Sequence, residues 1–294
     1  MKRVLLFGAS GFLGRAVVSA FAGNADLVCA GRGARDEPGW IKHDLEHDSL
    51  EPVIRQVRPD AVVNCTGRLD GTTAELVSAN VLATARLLDA VSGSDIRLVT
   101  LGSAGEYGAV HARRPVAEDA PTAPVAAYGV TKLAATQLVR SAVDSGVDAV
   151  SLRVFNPIGA GMPAGTVLGR AAARIREAGI SGQDFIELGP LDAYRDFVDV
   201  RDVASAIAAA ALSADLKEPV LNVGSGDAVR TRDAVALLAK TAGFGGQIRE
   251  AGAAQARSGA VSWIAADVSL AEAALGWTPR HSLADSIHAI WHEG

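Results

Sequence analysis

Cysteine is scarce in this chain: only Cys29 and Cys65 occur among 294 residues. Each lies in an apolar run and neither belongs to a CxxC pair, which excludes a disulfide framework and a zinc ribbon and fits a reducing, cytoplasmic setting. Lysine is nearly as rare, five of 28 basic residues, and no Lys/Arg block interrupts a formal net charge of -5. The surface that nucleic acid or an anionic membrane would need is therefore missing, and the expected partner is a small molecule. Long apolar runs are lacking too. The first, Val4 to Phe7, stops at Gly8, far short of a signal-peptide core or of the roughly 18 apolar residues of a membrane span. Two histidine pairs, His43/His47 and His288/His292, have a four-residue spacing, but neither has an evident third ligand or a HExxH pattern, so no metal is expected.

What remains is ordinary globular composition, 49% hydrophobic and 21% charged, arranged in alternating patterns. Val4 to Phe7, Leu27 to Ala30, Ala61 to Cys65, Leu98 to Leu101 and Val150 to Phe155 are apolar runs bounded by turn residues and are predicted as strands. Helical spacing fills the intervals: Leu13, Ala16, Val17, Ala20 and Phe21 share a face, and the segments 73–91 and 128–143 keep the same period. This succession predicts an α/β fold, a Rossmann-type doubly wound parallel sheet. Beyond Phe155 a Gly/Pro-rich stretch leads into short strands (185–188, 197–200, 220–223) and helices near 166–178, 202–213, 231–242 and 283–291. We expect residues 1–155 to form the dinucleotide-binding domain, segments near 195–225 to return to it, and 156–294 to form mainly a smaller substrate-binding lobe.

The turn after the first strand reads Gly8-Ala9-Ser10-Gly11-Phe12-Leu13-Gly14. Glycines at that spacing allow a tight turn and bring backbone N–H groups, including those of Ser10, Phe12 and Leu13, close to a pyrophosphate at a helix N-terminus. With 31 glycines in the chain the spacing alone arises by chance roughly 0.3 times, so the strand-turn-helix context carries the inference. The second strand ends at Arg32 with no Asp or Glu to hold a ribose diol. Arg32 could instead pair with a 2′-phosphate, which favours NADP(H) and leaves NAD(H) as the alternative; a solvated surface arginine is the bland reading. Asp44, followed by Leu45, could accept from an adenine amino group or merely cap a helix. Cys65-Thr66-Gly67, past the fourth strand, should lie against the cofactor.

Tyr128 and Lys132 stand four apart at the start of a predicted helix and so leave one face. Three tyrosines and five lysines would meet at this spacing roughly 5% of the time by chance, which makes this signal the sharper one. A nearby ammonium favours the phenolate and eases proton exchange by a phenol that ordinarily titrates near 10. Ser103, at the end of the fifth strand, could bond the same substrate oxygen and complete a Ser/Tyr/Lys site.

The chain resembles an extended short-chain dehydrogenase/reductase of the NAD-dependent epimerase/dehydratase type acting on nucleotide sugars. The resemblance rests on GASGFLG, on Ser103 to Gly108, on Tyr128-Gly129-Val130-Thr131-Lys132, and on Leu152 to Pro157, Arg195 to Val200, Leu221 to Gly226 and Leu275 to Pro279. It implies that Ser103, Tyr128 and Lys132 are catalytic and that Asn156, Arg195 and Arg257, with Glu106, meet the nucleotide-sugar substrate; a salt-bridged surface role stays open for each arginine. It also implies a homodimer formed through the helices 73–91 and 128–143. Dehydratases of this type carry an Asp-Glu pair right after the catalytic Ser/Thr, where this chain has Ala104 and Gly105. Together with Arg32, that departure favours an NADPH-dependent ketoreductase of a nucleotide-linked 4-keto-6-deoxyhexose. An NAD-dependent 4-epimerase is the alternative, and a catalytically silent dinucleotide sensor a second one.

Overall fold

A computed structural model describes residues 1–110, 112–252 and 261–294. The chain begins with β1 (Arg3–Phe7), α1 (Phe12–Phe21), β2 (Asp26–Gly31), β3 (Trp40–Lys42), α2 (Leu50–Val57) and β4 (Ala61–Asn64). A helix then runs as α3 (Thr73–Leu76), a π-helical segment (Val77–Leu82) and α4 (Ala83–Val91). β5 (Arg97–Ser103) ends in a 3-10 turn (Ala104–Glu106), and α5 (Ala127–Asp144), β6 (Ala149–Val154) and β7 (Asn156–Ile158) follow. The rest comprises α6 (Val167–Ser181), β8 (Phe185–Leu188), β9 (Tyr194–Asp199), α7 (Val200–Leu212), β10 (Val220–Val223), β11 (Ala228–Arg230), α8 (Thr231–Thr241), β12 (Gln247–Glu250), α9 (Ser269–Leu275) and α10 (Leu283–His292).

Seven strands form one parallel sheet in the order β10-β6-β5-β4-β1-β2-β3. Its central strands are apolar without alternation because helices cover both faces. On one face, α1 and α7 bring Val17, Phe21, Val203 and Ile207 against Val4, Leu6, Val63 and Val99. The alanines of α7 are small enough for close packing there. On the other face, Val53, Val57, Leu87 and Val139 pack onto Leu5, Phe7, Val62 and Leu98. A separate core unites α6, α8, α10 and β8 beyond the sheet.

Strand order reverses direction between β1 and β4, which opens a crevice at their carboxyl ends. Two small sheets border the main one: β11-β9-β7 and β12-β8. Of the segment expected to return to the sheet, α7 packs on it and β10 joins it, whereas β9 pairs with β7 and β11 instead. No helix among the described residues is long and apolar enough to cross a membrane.

Candidate active site

The glycine turn meets the end of β4 at very short range. Gly8 has φ +86°, and a Cβ there would lie 2.8 Å from the carbonyl carbon of Cys65, so both its conformation and its space require glycine. A Cβ on Gly14 would run into the carbonyl oxygen of Gly8. Helix α1 starts at Phe12 behind Gly11, which offers no side-chain cap, and has no acidic residue in its first turn. Its first amides are thus left for an anion, which fits a dinucleotide pyrophosphate. Arg15 braces the turn, donating to the carbonyls of Ser10 (3.0 Å) and Gly161 (3.2 Å).

Arg32 is exposed at the end of β2. Asp44 accepts from the Glu46 N–H (3.0 Å) and from His47 Nδ1 (3.1 Å). Although desolvation works the other way, these two bonds and the charges of His47 and Arg32 hold its carboxyl below the usual range. These contacts close a turn and cap no helix, since α2 begins at Leu50 with Ser49 as its N-cap, and an ionised carboxylate stands near Arg32. Leu45, expected with Asp44 beside the cofactor, instead turns inward to the core beneath the sheet, where it packs with Leu5, Phe7 and Leu50.

At the crevice, Thr66 donates from both its N–H and its hydroxyl to Asn64 Oδ1 (3.0 and 2.6 Å). Burial pushes the Cys65 thiol up to about 12, against the opposing charge of Lys132. Gly67 has φ +146°, and a Cβ there would be 2.9 Å from Asn80 Oδ1 and 3.3 Å from Lys132 Nζ. The loop, Asn80 and Lys132 therefore form one cluster. Asn80 belongs to the π-helical segment and reaches across to Thr131 Oγ1 (3.1 Å) and the Arg68 carbonyl (3.0 Å). Pattern reading passed over it; the available signal was an amide in mid-helix, where asparagine is a poor helix former.

Lys132 is buried and donates to the Leu101 carbonyl (2.9 Å), with its Nζ 6.0 Å from the Tyr128 ring centre. Burial lowers its pKa to about 8, while the charges of Glu106 and Cys65 act in the opposite sense. Tyr128 is half-buried on the first turn of α5. The 3-10 turn after Ser103 packs directly against that turn: a Cβ on Gly129 would fall 2.5 Å from the Gly105 carbonyl oxygen, and one on Gly105 would touch the Tyr128 ring at 3.8 Å and Ser103 Oγ at 3.4 Å. Two glycines thus bring the β5 end and the α5 start together. Ser103 Oγ accepts from the Gly105 N–H (3.1 Å), so its own proton is left to donate.

Glu106 requires a correction. Expected at the substrate, it is wholly buried. Its Oε1 accepts from the Ser103 N–H (2.8 Å) and the Thr136 hydroxyl (3.0 Å), and its Oε2 from Arg153 Nε (2.8 Å). With both oxygens engaged and no exposed surface, it cannot meet a ligand. Asn156 is half-buried and donates to the Asp196 carbonyl (2.9 Å). Arg195, on the neighbouring β9, donates to the Tyr194 carbonyl (2.8 Å), and burial lowers its pKa to about 10. Arg257 lies outside the described residues.

A model of the NAD-dependent epimerase/dehydratase family matches residues 4–224. The chain belongs to this family. Over 301 residues the enzyme is 37% identical to dTDP-6-deoxy-L-talose 4-dehydrogenase (NAD(P)(+)) of Kitasatospora kifunensis, covering 98% of this chain and 94% of that one. RMD from Pseudomonas aeruginosa, solved with NADPH, superposes with a TM-score of 0.84 at 28% identity, covering 100% and 99% of the two chains. MoeE5, solved with UDP-glucuronic acid and NAD, gives 0.84 at 29%, covering 98% and 97%. This epimerase/dehydratase-family member is therefore an NAD(P)-dependent enzyme of the extended short-chain dehydrogenase/reductase type, with a nicotinamide dinucleotide as its cofactor class. That sets aside the silent sensor.

Proposed function

We propose that the enzyme reduces a nucleotide-diphosphate-linked 4-keto-6-deoxyhexose with NADPH. The observation that carries this reading is the absence of an acid/base pair beside Ser103: Ala104 and Gly105 have no ionisable side chain, and the next carboxylate, Glu106, is buried and paired with Arg153. An elimination needs a base beside the ketone and an acid at the leaving hydroxyl, and Ser103 is not followed by either. Arg32, with no acidic residue at the β2 end, supports NADPH over NADH. The likeness to a 4-dehydrogenase of a 6-deoxy sugar nucleotide supports redox chemistry at C4. We further propose that residues 1–155 with α7 and β10 hold the dinucleotide, and that residues from 156 onward, including Asn156 and Arg195, hold the substrate.

When bound, the dinucleotide supplies the hydride. Tyr128 then donates its proton to the carbonyl oxygen that becomes the alcohol. Ser103 donates a hydrogen bond to the same oxygen, its Oγ held in place by the Gly105 N–H that it accepts. The Lys132 ammonium stabilises the phenolate left on Tyr128, and the Leu101 carbonyl orients it. Val77, Leu82, Val130 and Leu138 are substantially exposed on adjacent helices, which supports pairing of two copies there; sedimentation tests this.

The deciding experiment incubates the enzyme with NADPD and a nucleotide-linked 4-keto-6-deoxyhexose. One deuterium appearing in product per cofactor oxidised supports reduction. Interconversion of 4-hydroxy sugar nucleotides without external cofactor would replace it by the 4-epimerase reading.

A further inference from the structure

The buried carboxylate of Glu106 sits where the two halves of the proposed catalytic group meet. It belongs to the 3-10 turn that extends β5, and the turn is closed reciprocally: Ser103 Oγ takes the Gly105 N–H while Glu106 takes the Ser103 N–H. The same Oε1 takes the hydroxyl of Thr136, one helical turn beyond Lys132 on α5. Space for the carboxylate exists because residue 102 is glycine; a Cβ there would lie 2.6 Å from Glu106 Oε1. One side chain therefore joins the strand that carries Ser103 to the helix that carries Tyr128 and Lys132.

Its charge is compensated but not erased. Arg153, on β6, is itself buried and holds Oε2 through Nε, while its Nη1 donates to Tyr107 Oη (2.9 Å) and the Glu118 carbonyl (3.0 Å). Among the described residues, Lys132 is faced by Glu106 from the 3-10 turn, by Cys65 from the end of β4 and by Tyr128 from its own helix; the π-helical segment brings neutral Asn80 to the same cluster, and β5 brings the Leu101 carbonyl. Glu106 is therefore the carboxylate in a position to keep that lysine protonated against its burial.

We propose that Glu106 is a positioning residue of this site, fixing Ser103 relative to α5 and placing a negative charge behind Lys132. The proposal rests on the reductase reading only for what the group does to substrate, since the arrangement of the residues precedes it.

Two variants test it. Glu106→Gln keeps the shape and removes the charge; Glu106→Asp keeps Arg153 compensated and draws the carboxylate back, so it remains informative if the first variant does not fold. The lysine scarcity makes a direct readout available: Lys2, Lys42, Lys217 and Lys240 are all exposed, so the 13Cε titration of Lys132 stands apart, with Lys132→Met for assignment. In the parent its midpoint is expected at about 8. In Glu106→Gln it should fall by at least about 0.5 pH unit, and in Glu106→Asp by less in the same direction. With NADPH and keto sugar, kcat should drop about tenfold in either variant with KM little changed. A purely structural role would lower Tm and move neither the midpoint nor the partition between kcat and KM. Unchanged Lys132 midpoints in both variants, or parental kcat in both, overturn the proposal. A parent enzyme that does not oxidise NADPH would overturn the reductase reading alone, and the lysine titration would still decide the role of Glu106.

Discussion

Replacing Gly129 by alanine should separate folding from turnover. A Cβ at this position would lie 2.5 Å from the Gly105 carbonyl oxygen and 2.9 Å from Pro124 Cβ, and real Cβ atoms essentially never approach within 3.0 Å. The first turn of α5 must therefore retreat from the 3-10 turn by about 0.5 Å or more to relieve the overlap. Stability should fall by no more than about 2.5 kcal/mol, because overpacking costs about 1–3 kcal/mol while removing a helical glycine returns roughly 0.5–1 kcal/mol. The catalytic geometry is less forgiving. A displacement near 1 Å can cost about a hundredfold, so half of that should lower kcat roughly tenfold, about 1.4 kcal/mol of barrier. Single-turnover transfer from NADPD measures the chemical step, and calorimetry measures Tm on the same protein. Parental single-turnover rates in Gly129→Ala together with a raised Tm would show that the Gly105/Gly129 contact does not set the spacing of Ser103 and Tyr128.

Tyr128→Phe should fold and bind dinucleotide normally while kcat falls at least about a hundredfold, measured by cofactor titration and steady-state turnover. Arg32→Ala should weaken NADPH binding while leaving NADH binding nearly unchanged, the charge-assisted contact contributing up to about 3 kcal/mol; equal calorimetric affinities for the two cofactors in the parent would dispose of the idea. His43 is buried against the Phe7 ring, and its Nε2 has no hydrogen-bond partner among the described residues. Burial chiefly lowers its pKa, helped by Arg86 and opposed by Asp48 and Asp44. The unfolded chain therefore takes up a proton first, and stability from this group is complete above about pH 6.5 and declines as the pH falls through the lower folded value. Urea midpoints from about pH 7.5 to 5 should show a steeper acid decline in the parent than in His43→Gln.

The sheet was readable because strands covered on both faces have no alternation to lose: Leu5, Leu6, Val62 and Val63 announce themselves as apolar runs. The glycine turn and the Tyr128/Lys132 pair were readable because each depends on fixed local spacing. Helix α2 was passed over although Leu50, Val53 and Val57 keep the i, i+3, i+7 spacing of a buried face, because its eight residues are shorter than the window over which such a pattern stands out. The side of the main chain on which Glu106 emerges was equally hidden. Its inward turn is set by Gly102 and by partners 30 and 47 residues away, Thr136 and Arg153, which no local pattern brings together. β9 pairs with β7 and β11, not with the main sheet, for a similar reason: strand pairing is decided by tertiary context, and a strand-like run is silent about its neighbours.

The widened turns at Val77–Leu82 carry a consequence for how this gene can change length. A π-helical stretch amounts to one residue more than the regular coil needs, and here the surplus lies around Asn80, whose amide reaches the Arg68 loop and Thr131. Deleting a single codon anywhere in that stretch would let the helix relax to its ordinary pitch and swing the asparagine away by about 100°. Substitutions on the outer surface of the same helix would leave that geometry alone. In-frame single-residue deletions here should therefore be purged far more strongly than exchanges at neighbouring exposed positions, and a deletion scan read out by turnover would reveal a sharply bounded intolerant window.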